Sequence, residues 1–138
     1  MRILALDPGS HRIGLALSDE LGIIAQPLEF IPAEPLASVI TRLRQIIAEK
    51  SVVLLLIGMP RNMDGTYGPA AQKARDFAAA LAEPVAIPIK FWDERLTTAQ
   101  ANRILIQANV RRDQRKQKVD KTAAAILLQS YLDAVTPQ

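Results

Sequence analysis

Cysteine is absent from the 138 residues, so neither a disulfide framework nor a thiolate metal site is available, and nothing hints at secretion. Aromatic side chains make up 4% of the chain against 49% for hydrophobic residues as a whole, so the core must be aliphatic. There is one histidine, His11, and one tryptophan, Trp92. His11 falls in a turn and reads as solvated rather than catalytic, and Trp92 reads as packing beneath a site rather than stacking on a base. No apolar run approaches membrane-spanning length, and the first residues form a strand pattern without a signal-peptide cleavage region. The expectation is a single domain over residues 1–138, cytoplasmic, with no membrane partner.

Charge of one sign is scarce except in one place. The net charge is only +3. Between Arg111 and Lys121 stand six basic residues (Arg111, Arg112, Arg115, Lys116, Lys118, Lys121) against two acids, Asp113 and Asp120, a net of +4; the other 11 basic and 12 acidic residues leave −1. A concentrated basic segment suits a polyanion such as nucleic acid, because counterion release supplies affinity without sequence readout. The plainer reading is a solvated loop.

What is present begins with the first nineteen residues. Ile3 to Leu6 reads as a buried strand that ends in Asp7 and the turn pair Pro8-Gly9. Ile13 to Leu17 follows closely enough to pair with it as an antiparallel hairpin. A carboxylate at the mouth of a rigid hairpin, with Gly9 and Gly14 allowing close backbone approach, can hold a metal ion or phosphate. A turn-forming aspartate is the alternative.

Farther along, Asp19 to Gly22 is a turn, and Ile23 to Phe30 is a third strand whose Pro27 suits a sheet edge. Leu36, Val39, Ile40, Leu43, Ile46 and Ile47 recur at helical spacing over 35–50. Val52 to Ile57 reads as a strand covered on both faces, ending at Gly58. Residues 59–67 form a loop, and Ala70 to Leu81 mark a second helix. Ile87 to Trp92 is the last strand, closed by Asp93-Glu94-Arg95. A helix capped at Thr97 runs to about Gln107, and a final helix spans about Val119 to Val135. Three strands in succession, then helix, strand, helix, strand, helix, imply an α/β fold with a mixed sheet. Right-handed crossovers place the fourth and fifth strands parallel to the first. Ligands bind beyond the carboxyl ends of such strands, where Asp7, Gly58 and Asp93-Glu94 fall.

Asp120 shares a helical stripe with Ala124, Leu127 and Tyr131, although an acid that caps or charges the first turn of the helix has the same spacing. Asp7, one of Asp93 or Glu94, and Asp120 can therefore converge. Three carboxylates repel without a cation and form an oxygen cage with one, which points to Mg²⁺ or Mn²⁺ and to phosphodiester hydrolysis. Neighbouring strand residues face opposite ways, so one of Asp93 and Glu94 is the ligand. The longer reach of Glu94 favours it, leaving Asp93 to orient its neighbours, with the opposite assignment open. Arg12 and Arg95 flank the acids and can hold substrate phosphates or balance the acids' charge.

Four stretches together resemble the YqgF (RuvX) family. They are Asp7 to Asp19; Gly58-x-Pro60 with Met63-Asp64-Gly65-Thr66; Asp93 to Thr98; and Asp120-x-x-Ala123-Ala124 with Ile126 to Leu132. The resemblance implies an RNase H-like fold of the Holliday-junction resolvase superfamily: a five-stranded sheet with the first three strands antiparallel, the fourth and fifth parallel to the first, and helices on the faces of the sheet. It also implies a nuclease that matures the end of the small-subunit ribosomal RNA precursor, with Asp7, Glu94 and Asp120 as metal-binding catalytic acids. The chain departs from relatives at Pro8, where an aromatic or aliphatic residue is expected. It also has Ala123 where RuvC-like enzymes carry a further acid, and Gly58 where those resolvases are acidic.

The expected substrate is thus structured RNA, in association with a ribosomal precursor, gripped by Arg12, Arg95, Arg111, Arg112, Arg115, Lys116 and Lys118. Branched four-way DNA is the rival, for which symmetric cutting would want a homodimer rather than a monomer. A phosphate-binding domain of the actin and sugar-kinase type is less favoured, because such proteins need two domains to enclose a nucleotide. A non-catalytic RNA-binding module would predict that Asp7→Asn leaves cellular function intact.

Overall fold

The computed structural model describes residues 1–59, 68–93 and 123–135. In chain order they form β1 (Arg2–Pro8), β2 (Arg12–Ser18), β3 (Ala25–Pro32), α1 (Leu36–Lys50), β4 (Val52–Met59), α2 (Pro69–Val85), β5 (Ile89–Asp93) and α3 (Ala123–Val135). The strands make one sheet in the order β3-β2-β1-β4-β5. β1, β2 and β3 are antiparallel neighbours, whereas β4 runs parallel to β1 and β5 parallel to β4. This is the mixed five-stranded sheet that the element order implies. The helix expected over 97–107, the basic segment and the start of the final helix lie outside the described residues.

Local chemistry sets the ends of these elements. The β1–β2 turn closes through the Gly9 amide, which donates to the Arg12 carbonyl at 2.9 Å. A Cβ on Gly9 would stand 2.6 Å from that oxygen, so no side chain fits there. At the next turn the Asp19 carboxylate accepts the amides of Ile23 and Ile24 at 2.8 and 3.1 Å. These backbone hydrogen bonds, that from Ile24 first, hold the Asp19 carboxyl below its ordinary value. They also keep Ile23 and Ile24 in the turn and exposed, so β3 starts at Ala25 rather than at Ile23. Pro27 sits where its missing amide is harmless, on an edge strand. Pro69 occupies the first turn of α2 behind Gly68, where its fixed φ suits helix entry.

Both faces of the sheet are covered, by different means. On one, Leu4, Leu6, Leu15, Leu55 and Ile57 pack against Val39, Leu43 and Ile46 of α1 and Leu81 and Val85 of α2. On the other, Ala5, Ala16 and Leu56 meet Ala124, Ala125, Leu127, Leu128 and Leu132 of α3. Two expected core positions fall outside this packing. Leu36 stands at the open start of α1. Val53 falls at the register shift between the Arg2 and Ile3 pairings and stays 42% exposed.

Candidate active site

Asp7 is the penultimate residue of β1 and pairs with Gly14 of β2. Ala5 packs toward α3 whereas Leu4 and Leu6 pack toward α1 and α2, so alternation places Asp7 on the α3 side. Gly14 matters for what surrounds it. A Cβ there would lie 3.2 Å from Cε1 of Phe30 and 3.8 Å from Cβ of Ala124, so the bare backbone lets the Phe30 ring and the start of α3 close in beside Asp7. Arg12, two residues earlier on the same face, lays its guanidinium 4.2 Å from the centre of the Phe30 ring. No other described residue makes an ion pair with Asp7.

Helix α3 is fixed across this face at both sides of the sheet. Toward β3, the Gln129 side chain accepts the Ala25 amide at 3.0 Å and donates to the Ile23 carbonyl at 2.8 Å. Toward β5, the Trp92 indole donates to Ser130 Oγ at 3.0 Å and meets the Tyr131 ring edge-on at 5.2 Å. Lys90 Nζ donates to the Tyr131 hydroxyl at 3.3 Å. Trp92 thus packs under α3. A cavity of about 530 Å³ lies on the opposite side of the β1–β2 turn, bordered by Ser10, Glu34, Gly58, Lys73 and Phe77. It opens on the α2 side and reaches Pro8 and Gly9, which follow Asp7 in the turn.

A family model described as RuvX, Holliday junction resolvase, matches residues 1–134. The chain belongs to the RuvX family. A relative from Desulforamulus reducens, named as a candidate pre-16S rRNA nuclease, is 50% identical over 134 residues, which is 97% of this chain and 98% of the relative. Among solved structures, T. thermophilus RuvC in complex with Holliday junction substrate superposes with a TM-score of 0.56 at 15% identity, over 97% of this chain and 94% of that one. The fowlpox virus Holliday junction resolvase gives 0.53 at 13% identity, over 98% and 100%. At such identities the likeness is one of fold, and it places the RuvX sheet among the resolvase-like, RNase H-like sheets.

The expected site residues of the RuvX chain divide in three. Asp7 and Arg12 share the α3 face on adjacent strands. Asp93 belongs to the other face: Trp92 packs toward α3 and Ile89 toward α1 and α2, and Asp93 alternates with Trp92. Glu94, Arg95, Arg111, Arg112, Arg115, Lys116, Lys118 and Asp120 lie outside the described residues. Among the described residues no three His, Cys, Asp or Glu side chains converge on a metal position. The donor chemistry of the expected set, carboxylate oxygens only, suits a hard divalent ion. Phe30, Gln129 and Ser130 stand outside the expected site residues, yet the Phe30 ring reaches over Gly14 and the other two anchor α3. For Phe30 the missing signal was its pairing with Gly14.

Proposed function

We propose that this RuvX chain, acting as one RNase H-like unit over residues 1–138, is a cytoplasmic, divalent-metal-dependent nuclease that hydrolyses phosphodiester bonds while maturing precursor 16S rRNA. The observation that carries the reading is Asp7. It is a carboxylate held near the end of a paired core strand, without an ion-pair partner among the described residues, on the sheet face that α3 covers and opposite Gly14, which Phe30 and Ala124 approach. The name borne by the half-identical relative supplies the substrate.

In this reading Asp7, Glu94 and Asp120 hold Mg²⁺ or Mn²⁺. The placement of Asp93 on the other face supports Glu94 as the strand-end ligand. A divalent ion there supplies polarisation of the scissile phosphate and activation of the attacking water. The chain's own part is to orient. Asp7 cannot drift, because its strand is paired on both sides. Arg12 and Arg95 hold phosphates flanking the scissile one, and Arg111, Arg112, Arg115, Lys116 and Lys118 grip the backbone without reading sequence. Asp93 orients its neighbours from the far side of the strand.

A second reading, cutting of four-way DNA, is favoured by the family description. One experiment separates the two: cleavage of precursor rRNA and of a four-way DNA junction by the purified protein, with Mg²⁺ or Mn²⁺ and with chelator. The maturation reading predicts metal-dependent cutting of the RNA, lost with chelator. Selective, paired cuts in the junction would replace it with the second reading, and no cutting of either substrate would overturn both.

A further inference from the structure

Across three neighbouring strands, one row of the sheet runs Asp7, Gly14, Phe30. Directly opposed residues present the same face, so all three belong to the α3 side. Strand spacing puts Phe30 about 10 Å from Asp7, Cα to Cα. Phe30 stays 45% exposed on the edge strand, though its ring reaches over Gly14. The guanidinium of Arg12, itself exposed, lies on that ring at 4.2 Å.

An aromatic ring over a cross-strand glycine shields backbone, which accounts for the ring's edge contact. It does not account for the guanidinium over the ring, nor for the location two strands from the proposed catalytic carboxylate. A planar guanidinium resting on an aromatic ring is a preformed stacking surface with a positive charge, and unpaired RNA bases stack on such surfaces. The charge suits the phosphates of the same strand, and Gly14 leaves the way from Asp7 to the ring free of any side chain of its own.

We propose that Arg12 and Phe30 form a platform on which one unpaired base of the substrate strand stacks, close to the scissile phosphate. The platform thereby fixes which bond reaches Asp7. This assignment rests on the nuclease reading above and adds to it a requirement for single-stranded RNA at the cut.

The test reads binding, so that it does not depend on cleavage. Single-stranded RNA oligonucleotides of one sequence, each with one abasic position, are titrated against the Asp7→Asn protein and against Asp7→Asn carrying Phe30→Leu, with Phe30→Trp as the conservative variant. Affinity for the intact strand should fall about tenfold in Phe30→Leu and be kept in Phe30→Trp. One abasic position should cost Asp7→Asn a similar factor and cost the Phe30→Leu form nothing further. RNA binding that ignores both the abasic scan and Phe30→Leu overturns the platform while leaving the nuclease reading in place. Equal abasic penalties in both proteins would reduce Phe30 to a structural role and likewise overturn it. Absence of any RNA binding overturns both.

Discussion

The two faces of the sheet are built to different rules. The side under α1 and α2 is filled with large aliphatic side chains from both helices and four strands, and its leucines, isoleucines and valines are almost wholly buried. The side under α3 mixes sizes. Leu56, Leu127, Leu128, Tyr131 and Leu132 are buried there, but Ala5, Gly14 and Ala16 of the strands and Ala124 and Ala125 of the helix are small, and one end leaves Asp7, Arg12 and Phe30 in reach of solvent. Large side chains interdigitating on one face supply burial free energy at about 25 cal/mol per Å². Small ones on the other let a helix and a charged strand end approach closely. In the proposed reading the chemistry falls on the α3 side, opposite the two-helix packing.

That division can be broken most sharply at Asp7. Asp7→Asn should lower metal-dependent RNA cleavage by about 10³-fold, a loss of several kcal/mol of transition-state stabilisation, with the denaturation midpoint unchanged. The paired readout is single-turnover cleavage beside urea unfolding. A large stability loss would instead make Asp7 structural.

Leu43→Ala should do the converse. Leu43 is fully buried on the two-helix face, so its truncation should cost about 2–5 kcal/mol of unfolding free energy. Cleavage per folded molecule should be retained, as measured at a temperature where the variant is still native.

Gln129→Ala sits between these. It removes two hydrogen bonds that tie α3 to the start of β3, which should cost about 1–2 kcal/mol by denaturant titration. Because α3 covers the Asp7 face, this variant should also lower cleavage per folded molecule, which Leu43→Ala should not.

The smallest effect belongs to the two-helix side and to pH. Arg42 donates to both oxygens of Glu29, at 3.1 and 2.6 Å, and this hydrogen bonding holds the Glu29 carboxyl below its ordinary value. The folded group therefore binds its proton less readily than the unfolded one. Its stabilisation is complete above the ordinary glutamate pKa of about 4.3 and is lost as pH falls through the lower folded value. With side chains 38% and 30% exposed, the contribution should stay under about 1 kcal/mol. Stability curves of wild type and Glu29→Gln should converge as pH falls below about 4.

Much of this arrangement was legible in residue order. Continuous aliphatic runs gave β1 and β4, Pro27 gave an edge strand, and 3.6-residue spacing gave α1. The crossover rule gave the parallel pairing of β4 and β5, which brings Asp7 and Asp93 toward one edge. Other features depend on contacts between distant segments, which spacing does not encode. Ile23 and Ile24 look like strand residues, yet the Asp19 carboxylate captures their amides and keeps them in the turn. Phe30 looks like a strand end until the β2–β3 register sets it against Gly14. The anchors Gln129 and Ser130 are polar residues on an apolar helix, and their partners stand 106 and 38 residues away. Side-chain reach and the family resemblance favour Glu94 over Asp93 from sequence alone, and the side of the strand on which Asp93 falls is a contact-level observation that spacing does not encode.

The most direct test of the division is calorimetric titration of Mn²⁺ into the full chain and its Asp7→Asn, Asp93→Asn and Glu94→Gln forms. Carboxylates on the α3 side as the metal ligands predict binding in the wild type and in Asp93→Asn, and its loss in Asp7→Asn and Glu94→Gln. Binding that survives Asp7→Asn, or that is lost with Asp93→Asn and kept in Glu94→Gln, would contradict the assignment of the metal chemistry to that face.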